Sequence, residues 1–378
     1  MDPSTNITSA AVIRDCLVAC IRIMRTAKIG PIAFQKLIKL YKTPELALDA
    51  LAHGELGNVG RICPEDDAEK EVELCRKLGA RMISMFEREY PQMLLHIYDP
   101  PPVITALGDV ALLNKNNKIA MVGSRNASAN GKRIAYGIAF DLSKAGFVTV
   151  SGLARGIDST VHSVIFEKMP TVAVTANGID VVYPKDNLHL YRAIVHNGGV
   201  VVTELPFSSL PKASFFPQRN RIISGMAWGT VVVEASRRSG SLITANFALS
   251  QGREVFAVPG LALDPKYSGS NYLIKQGATL VESAEDIIQA LNPGARTIAA
   301  NSLRHAARRQ DAATDGAGSA AIRRAILQQL SVSPTDIEDL AACTKIGTST
   351  LLAELIELEL LRKVHRFPGN RFALSLEN

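Results

Sequence analysis

The chain has no apolar run approaching the roughly 18 residues that a membrane-spanning helix needs, so a membrane protein is not expected. Its five cysteines, Cys16, Cys20, Cys63, Cys75 and Cys343, include no CxxC pair and no cluster at zinc-ligand spacing, which argues against a zinc site. Cys16 and Cys20 fall on one helix face, where small buried side chains are common, and reduced cytoplasmic thiols fit this usage best. The opening MDPSTNITSAAVIRD lacks a basic stretch followed by an apolar one. No signal peptide is therefore expected, and the protein reads as soluble and cytoplasmic. Walker lysine, HExxH and GxSxG motifs are all missing, and the seven histidines are scattered. Without a strong nucleophile–base pair, no catalytic residue, cofactor or metal is expected.

What is present is an ordinary composition, 47% hydrophobic and 21% charged, with a single tryptophan, Trp228. At 378 residues the chain has room for two or three domains, each able to bury a core. The net charge of +6 permits nucleic-acid binding without requiring it. Residues 1–78 read as a small helical domain. Val12, Cys16, Val18, Ile21 and Ile23 mark its first helix, and Phe34, Leu37, Ile38 and Leu40 mark a second. Between them Lys28-Ile29-Gly30-Pro31 is a tight turn, with Gly30 for the bend and Pro31 at a helix start. This is a partial match to a helix-hairpin-helix or SAM-like unit, because Lys28 stands where the first glycine of a helix-hairpin-helix is expected. Packing is the simpler role for it.

Residues 292–320 are rich in Ala, Arg and Gly, bury little, and read as a flexible linker with Arg304, Arg308 and Arg309 solvated. In residues 321–378, Ile322, Ile326 and Leu330 mark a helix, Pro334-Thr335-Asp336 starts a second, and Thr348 to Leu361 forms a third. A hairpin around Pro368-Gly369-Asn370 follows, which is a winged-helix-like order. The third helix carries Glu354, Glu357 and Glu359 and no Lys or Arg. Major-groove reading is therefore disfavoured and a protein-contact role preferred, with Arg362, Lys363, Arg366 and Arg371 on the wing speaking the other way.

Residues 79–291 alternate strand and helix. Strands are expected at Arg81 to Phe86, Val103 to Leu107, Ile119 to Val122, Val148 to Val150, Thr171 to Val174, Val200 to Thr203, Thr230 to Val233, Val255 to Val258 and Thr279 to Val281. Continuous rather than alternating apolar runs imply strands covered on both faces, hence a Rossmann-like, mostly parallel α/β sheet. Ligands of such sheets sit at the carboxyl ends of the strands. The first core strand runs into Gly123-Ser124-Arg125-Asn126. There Gly123 lets the backbone approach a ligand, Ser124 and the following helix start offer donors, and Arg125 supplies a planar cation. GxGxxG is absent and the second strand ends in Ser151-Gly152 rather than an acid, so a dinucleotide site is rejected.

That second turn continues as Ala154-Arg155-Gly156-Ile157-Asp158, with His162 four residues on. Asp158 and His162 form a candidate acid–base pair; the preferred reading has Asp158 capping the helix and fixing Arg155. Asn177, Gly178 and Asp180 with Tyr183-Pro184, then Glu204 and Glu234, follow later strands, and internal salt bridges are the simplest use of these acids. Phe215 and Phe216 lie beside Arg219, Asn220 and Arg221, pairing rings with guanidinium groups as a partner of phosphates and flat bases requires. Ser239-Gly240-Ser241 opens the helix of a βαβ unit, with an anion site at its start.

The ordered blocks GSR, SGLARGID, YPKDN, FFPQRNRIISG, VVVEASRRSGSLITA and GREVFAVPG, over about residues 80–291, resemble the DNA-processing protein A (DprA, also called Smf) family. The helical N-terminal part and the winged-helix-like tail are similar to accessory domains of that family. The resemblance implies a homodimeric, non-catalytic core that binds single-stranded DNA, protects incoming DNA, and loads the recombinase RecA during natural transformation. It assigns Gly123, Ser124 and Arg125 to a phosphate pocket, with Arg155 of the second block in the same set. Phe216, Arg219, Asn220 and Arg221 are assigned to strand contact, joined by Ser239, Gly240, Ser241 and Thr244. Two departures stand out. Thr175-Ala176-Asn177-Gly178 replaces a glycine-rich turn, and Gln218 stands where a basic residue is more usual. Two other readings remain open: a nucleotide-processing enzyme of the phosphoribohydrolase type, using Glu234 and Arg219 on a glycosidic bond, and a pure scaffold.

Overall fold

The structure, a computed structural model, describes residues 10–54, 60–291, 317–331, 333–361, 363–367 and 371–375. The span 292–316 of the expected linker, Arg362 and the Pro368-Gly369-Asn370 turn lie outside them. The chain divides into two compact units, Met1–Arg296 and Thr297–Asn378.

The first unit begins with four helices, α1 (Ala10–Arg25), α2 (Pro31–Tyr41), α3 (Pro44–Ala52) and α4 (Glu65–Lys77). Thr43 caps α3 by accepting from the Leu46 amide at 3.3 Å, and α4 carries Glu65, Asp66 and Asp67 in its first turn and Arg76 and Lys77 in its last. Both patterns oppose the helix dipole or satisfy its orphan amides. The α1–α2 turn differs from the sequence reading. Gly30 is extended (φ −108°, ψ −178°), and the left-handed residue is Lys28 (φ 68°). The bend thus falls on the position where a helix-hairpin-helix would place its first glycine, at a residue with a side chain.

A nine-stranded sheet follows: β1 (Arg81–Ser84), β2 (Val103–Gly108), β3 (Lys118–Val122), β4 (Val148–Ser151), β5 (Thr171–Val174), β6 (Val200–Thr203), β7 (Gly229–Val232), β8 (Glu254–Ala257) and β9 (Thr279–Leu280). Its order is β1-β2-β6-β5-β4-β3-β7-β8-β9. β1 and β2 run antiparallel along one edge, β2 pairs antiparallel with β6, and the strands from β6 to β9 are mutually parallel. The connecting helices are α5 (Gln92–Leu95), α6 (Ala129–Lys144), α7 (Ile157–His162), α8 (Leu188–His196), α9 (Phe215–Gly225), α10 (Gly240–Ser250), α11 (Ser268–Lys275) and α12 (Ala284–Leu291).

Alternate strand residues feed opposite faces. Ile119, Met121, Val231 and Val233 pack with Ala135, Ile138 and Leu142 of α6 and Ile287 of α12. Ala120, Val122 and Val232 pack on the other side with Ile222 and Ile223 of α9 and Ala245 and Ala248 of α10. A third cluster joins Cys16, Ile21 and Phe34 of the N-terminal helices to Ile194 of α8, Ala173 of β5 and Val201 of β6. The helical segment therefore shares a core with the sheet. No described helix is long and apolar enough to cross a membrane, and no described group of three or more His, Cys, Asp or Glu is placed to hold a metal ion.

The second unit holds α13 (Ala317–Gln329), β10 (Thr335–Asp336), α14 (Ile337–Thr344), α15 (Thr348–Leu360), β11 (Val364–Phe367) and β12 (Arg371–Leu374). The first of these helices begins inside the span expected to be linker. The strands form an antiparallel sheet in the order β10-β12-β11 over a core of Ile326, Leu340, Leu355 and Phe372. The acidity of α15 has an internal use. Arg323 of α13 bonds Glu354 at 2.5 Å and also reaches Glu357, so two of the three carboxylates are neutralised within the unit.

Candidate nucleic-acid interface

β3 and β7 lie side by side, yet the chain leaves them in opposite directions, from β3 towards β4 and from β7 towards β8. Helix α6 then covers one face and α10 the other, so no crossover closes the space above the two carboxyl ends. A cavity of about 850 Å³ lies there. Gly123, Ser124 and Arg125 line it from the β3 turn, Phe216, Arg219 and Asn220 from α9, and Ser239, Gly240, Ser241 and Thr244 from the start of α10. Arg155 and Arg221 do not line it.

The β3 turn is held by backbone. The Ser124 amide donates to the Glu234 carbonyl at 2.6 Å, and the Ser124 carbonyl accepts from the Ile157 amide at 3.1 Å. The start of α6 is also engaged. The buried Glu234 carboxylate accepts from the Ser128 hydroxyl at 2.6 Å and from its amide at 3.1 Å, while Ser128 Oγ caps Gly131 at 2.9 Å. The amides of Ser124, Ser128 and Gly131 are thus committed within the protein, and the helix start that lines the cavity is that of α10, where Ser239 Oγ accepts from the Ser241 amide at 3.3 Å. Packing also calls for glycine at Gly123, which lines the cavity, since a Cβ there would fall 2.5 Å from Ile157 Cγ1.

Arg219 is 4% exposed and threads beneath the carboxyl ends of β4 and β5. Its Nη1 donates to the Gly152 carbonyl at 2.5 Å and to that of Val174. A Cβ on Gly152 would lie 2.5 Å from that nitrogen, so this route requires glycine. Burial brings the Arg219 guanidinium down to about 10, which leaves it cationic at neutral pH. The neighbouring Asp158 is also buried; desolvation raises its carboxyl above the ordinary value, with Arg219 and Arg125 pulling the other way.

Three readings of this region are corrected. The α7 cap is Gly156, not Asp158, which lies within the helix and accepts from the Ala154 amide at 3.4 Å. Arg155 is exposed and paired with Asp186 at 2.5 Å rather than fixed by Asp158. His162 is no partner of Asp158: its Nδ1 lies 2.8 Å from Thr171 Oγ1, and burial lowers it to about 3, so it stays neutral in the core. Among the acids at strand ends, Glu204 pairs with Arg221 at 2.5 Å as an internal salt bridge, whereas Glu234 is held by Ser128 and Asp180 by the Ser208 amide at 2.7 Å.

At the mouth, the Arg125 guanidinium sits 5.3 Å from the centre of the Phe216 ring, and Tyr183 meets that ring from another side at 5.6 Å and 58°. Arg221, two residues along α9 from Arg219, is turned into the protein. It is 5% exposed and bonded to Glu204 and, at 3.1 Å, to Asp99. Phe215 and Gln218 lie outside the lining, as does the Thr175–Gly178 turn, whose Gly178 amide donates to Ser209 at 2.8 Å. Sequence reasoning named Tyr183 at a strand end without assigning it to the site and missed Lys266; both are lining residues. Each follows the carboxyl end of a core strand, the place already singled out, but across an irregular loop that gives no periodic signal.

Gly156 closes the arrangement. It has φ 81°, and its Cα faces the carbonyls of Ser124 and Arg125. Gly156→Ala is expected to lose at least the roughly 1–3 kcal/mol of a strained left-handed residue. It should also weaken ligand binding by displacing Arg125; a denaturation midpoint equal to the parent's would refute the clamp.

Three family descriptions match the chain: DNA recombination-mediator protein A over residues 81–292, a DprA-like N-terminal HHH domain over 15–73, and a DprA winged helix domain over 310–370. The DNA processing protein DprA of Bacillus subtilis is 45% identical over 217 residues, 57% of this chain and 73% of that one. Protein Smf of Synechocystis is 29% identical over 379 residues, covering 91% and 95%. The crystal structure of DprA from Streptococcus pneumoniae superposes with a TM-score of 0.61 at 30% identity, covering 72% of this chain and 96% of that one. DprA from Helicobacter pylori, described for its single-stranded DNA binding mode, gives 0.51 at 25% identity, covering 56% and 95%. With its central 81–292 matched as one block and its flanking segments matched in order, the chain belongs to the DNA processing protein A (DprA/Smf) family of DNA recombination mediators.

Proposed function

We propose that the chain binds single-stranded DNA at the cavity above β3 and β7, without turning it over. In this reading it acts in the cytoplasm as a homodimer, shields incoming DNA and loads RecA onto it during natural transformation. One observation carries the binding reading: a cation, two aromatic rings and a helix start converge on one cavity. Arg125 and the α10 start meet phosphate, and Phe216 with Tyr183 meets the flat face of a base. Arg219 adds a fixed positive charge beneath the floor, and Arg221 holds α9 from behind rather than touching the strand. The Helicobacter pylori relative's single-stranded DNA binding supports the choice of a single strand as the ligand. Glu234, the acid a glycosidic hydrolysis would need, is tied to Ser128 and does not line the cavity.

Stacking accepts any base, so weak sequence preference is expected, and the phosphate contacts make binding fall with salt at a slope of about −0.7 per contacted phosphate. Gel shifts of the full chain with single- and double-stranded oligonucleotides at two salt concentrations test this. Preference for the single strand and loss at high salt are expected. An affinity indifferent to salt, or release of free base from nucleoside monophosphates, would overturn the reading.

A further inference from the structure

The β7–α10 turn carries two arginines that the cavity does not absorb. Ser236 and Ser239 line the cavity, while Arg237 and Arg238 between them are exposed. Arg237 is not loose. Its guanidinium carbon lies 4.0 Å from the centre of the Tyr272 ring on α11, a shorter separation than the 5.3 Å of Arg125 over Phe216 inside the site.

The two elements are joined at one point. The amides of Gly269 and Ser270 both donate to the Ala235 carbonyl, at 2.7 and 3.3 Å, and the Arg237 amide donates to Ser268 Oγ at 3.3 Å. A Cβ on Gly269 would lie 2.5 Å from the Ser236 carbonyl, so the close seating of α11 depends on that glycine. Lys266, in the short turn just before α11, lines the cavity on this same side. Asp264 is the acid nearest to it in sequence, and its Oδ1 is occupied by the Lys266 amide at 2.9 Å. The rim therefore offers positive charge and a guanidinium held over a ring, next to Ser236 of the cavity lining.

We propose that Arg237 on Tyr272 is a second base platform, where a single strand leaving the cavity past Lys266 stacks its next base on the outer face of the Arg237 guanidinium. The inference rests on the single-strand reading above and extends it to a longer track. A guanidinium plane supported on one side by a ring has lost its rotamer freedom before the strand arrives, and it can stack a base of any identity on its other side. Arg238 and Lys266 flank the platform and face the phosphates. If the pair served only to hold α11 in place, the length of the bound strand would be irrelevant to it.

Oligothymidylates of increasing length separate the two roles. With strands too short to leave the cavity, Arg237→Gln is expected to bind like the parent. With longer strands it should bind about fivefold or more weakly, the equivalent of one lost stacked base. Its salt slope should shrink by up to about 0.7, because one positive charge beside the strand is lost together with the flat face. Arg237→Lys should recover the slope but not the affinity, because an ammonium keeps charge and loses the flat face. Tyr272→Leu should lower long-strand affinity with the slope unchanged. Thermal unfolding of each variant is read alongside, and midpoints equal to the parent's are expected for the two exposed Arg237 variants.

Equal losses on short and long strands, or no loss on either, would overturn the platform while leaving the cavity reading intact. A parent chain that binds no single strand at any length would instead overturn the cavity reading itself.

Discussion

Arg221→Met is expected to lose about 3–5 kcal/mol of stability while its folded fraction still binds single-stranded DNA. The guanidinium is 5% exposed and bonded to both Asp99 and Glu204, so its removal leaves two carboxylates facing each other without a counter-charge. Burial already raises both carboxyls above their ordinary values, with Arg221 opposing the rise. Without Arg221 they climb further. Between the ordinary carboxyl values of the unfolded chain and the raised values of the folded one, the folded variant holds protons that the unfolded chain has released, so its stability falls as pH rises there, and the deficit relative to the parent narrows on acidification. Urea unfolding at several pH values, with the slope m compared, measures this. A variant that unfolds like the parent but loses DNA binding would return Arg221 to the strand-contact role that its place in FPQRNR suggested.

The second large effect is on affinity. The double variant Arg125→Ala, Phe216→Ala removes both the cation and the ring it lies against. One stacked base contributes about 1–3 kcal/mol, and the lost phosphate contact lowers the salt slope by about 0.7. Together these predict a loss of about a hundredfold or more at low salt, with a shallower salt dependence in what binding is left. Both side chains sit at an open cavity mouth, so the fold should survive. Anisotropy titration of a labelled oligothymidylate reads the result. Binding within about threefold of the parent would remove the stacking claim.

Much of this was legible beforehand, for identifiable reasons. Val/Ile/Ala runs of four or five residues mark strands covered on both faces, and all nine expected strands are present within a residue or two. The GSR, RNR and SGS blocks converge because each follows or faces the carboxyl end of a parallel strand. What failed was side-chain partnership. Asp158 stands three residues from Arg155 in sequence, yet Arg155 bonds Asp186 and Asp158 faces Arg219, partners brought together by β4, β5 and α9. Arg219 and Arg221 look equivalent in a string of letters. On a helix two positions differ by about 200° in direction, so one reaches the cavity floor and the other a half-buried acid pair. Lys28 was unreadable for a different reason: a left-handed lysine is uncommon, and the adjacent glycine drew the bend to itself.

The reversal of strand order between β3 and β7 has a consequence for how such a site can change over time. The opening exists because two crossovers depart to opposite faces, and no single side chain creates it. Arg125, Phe216 or Arg237 can therefore be exchanged, one at a time, to retune what is gripped, and the crevice stays where connectivity put it. Its location is inherited with the fold; its contents are free to drift.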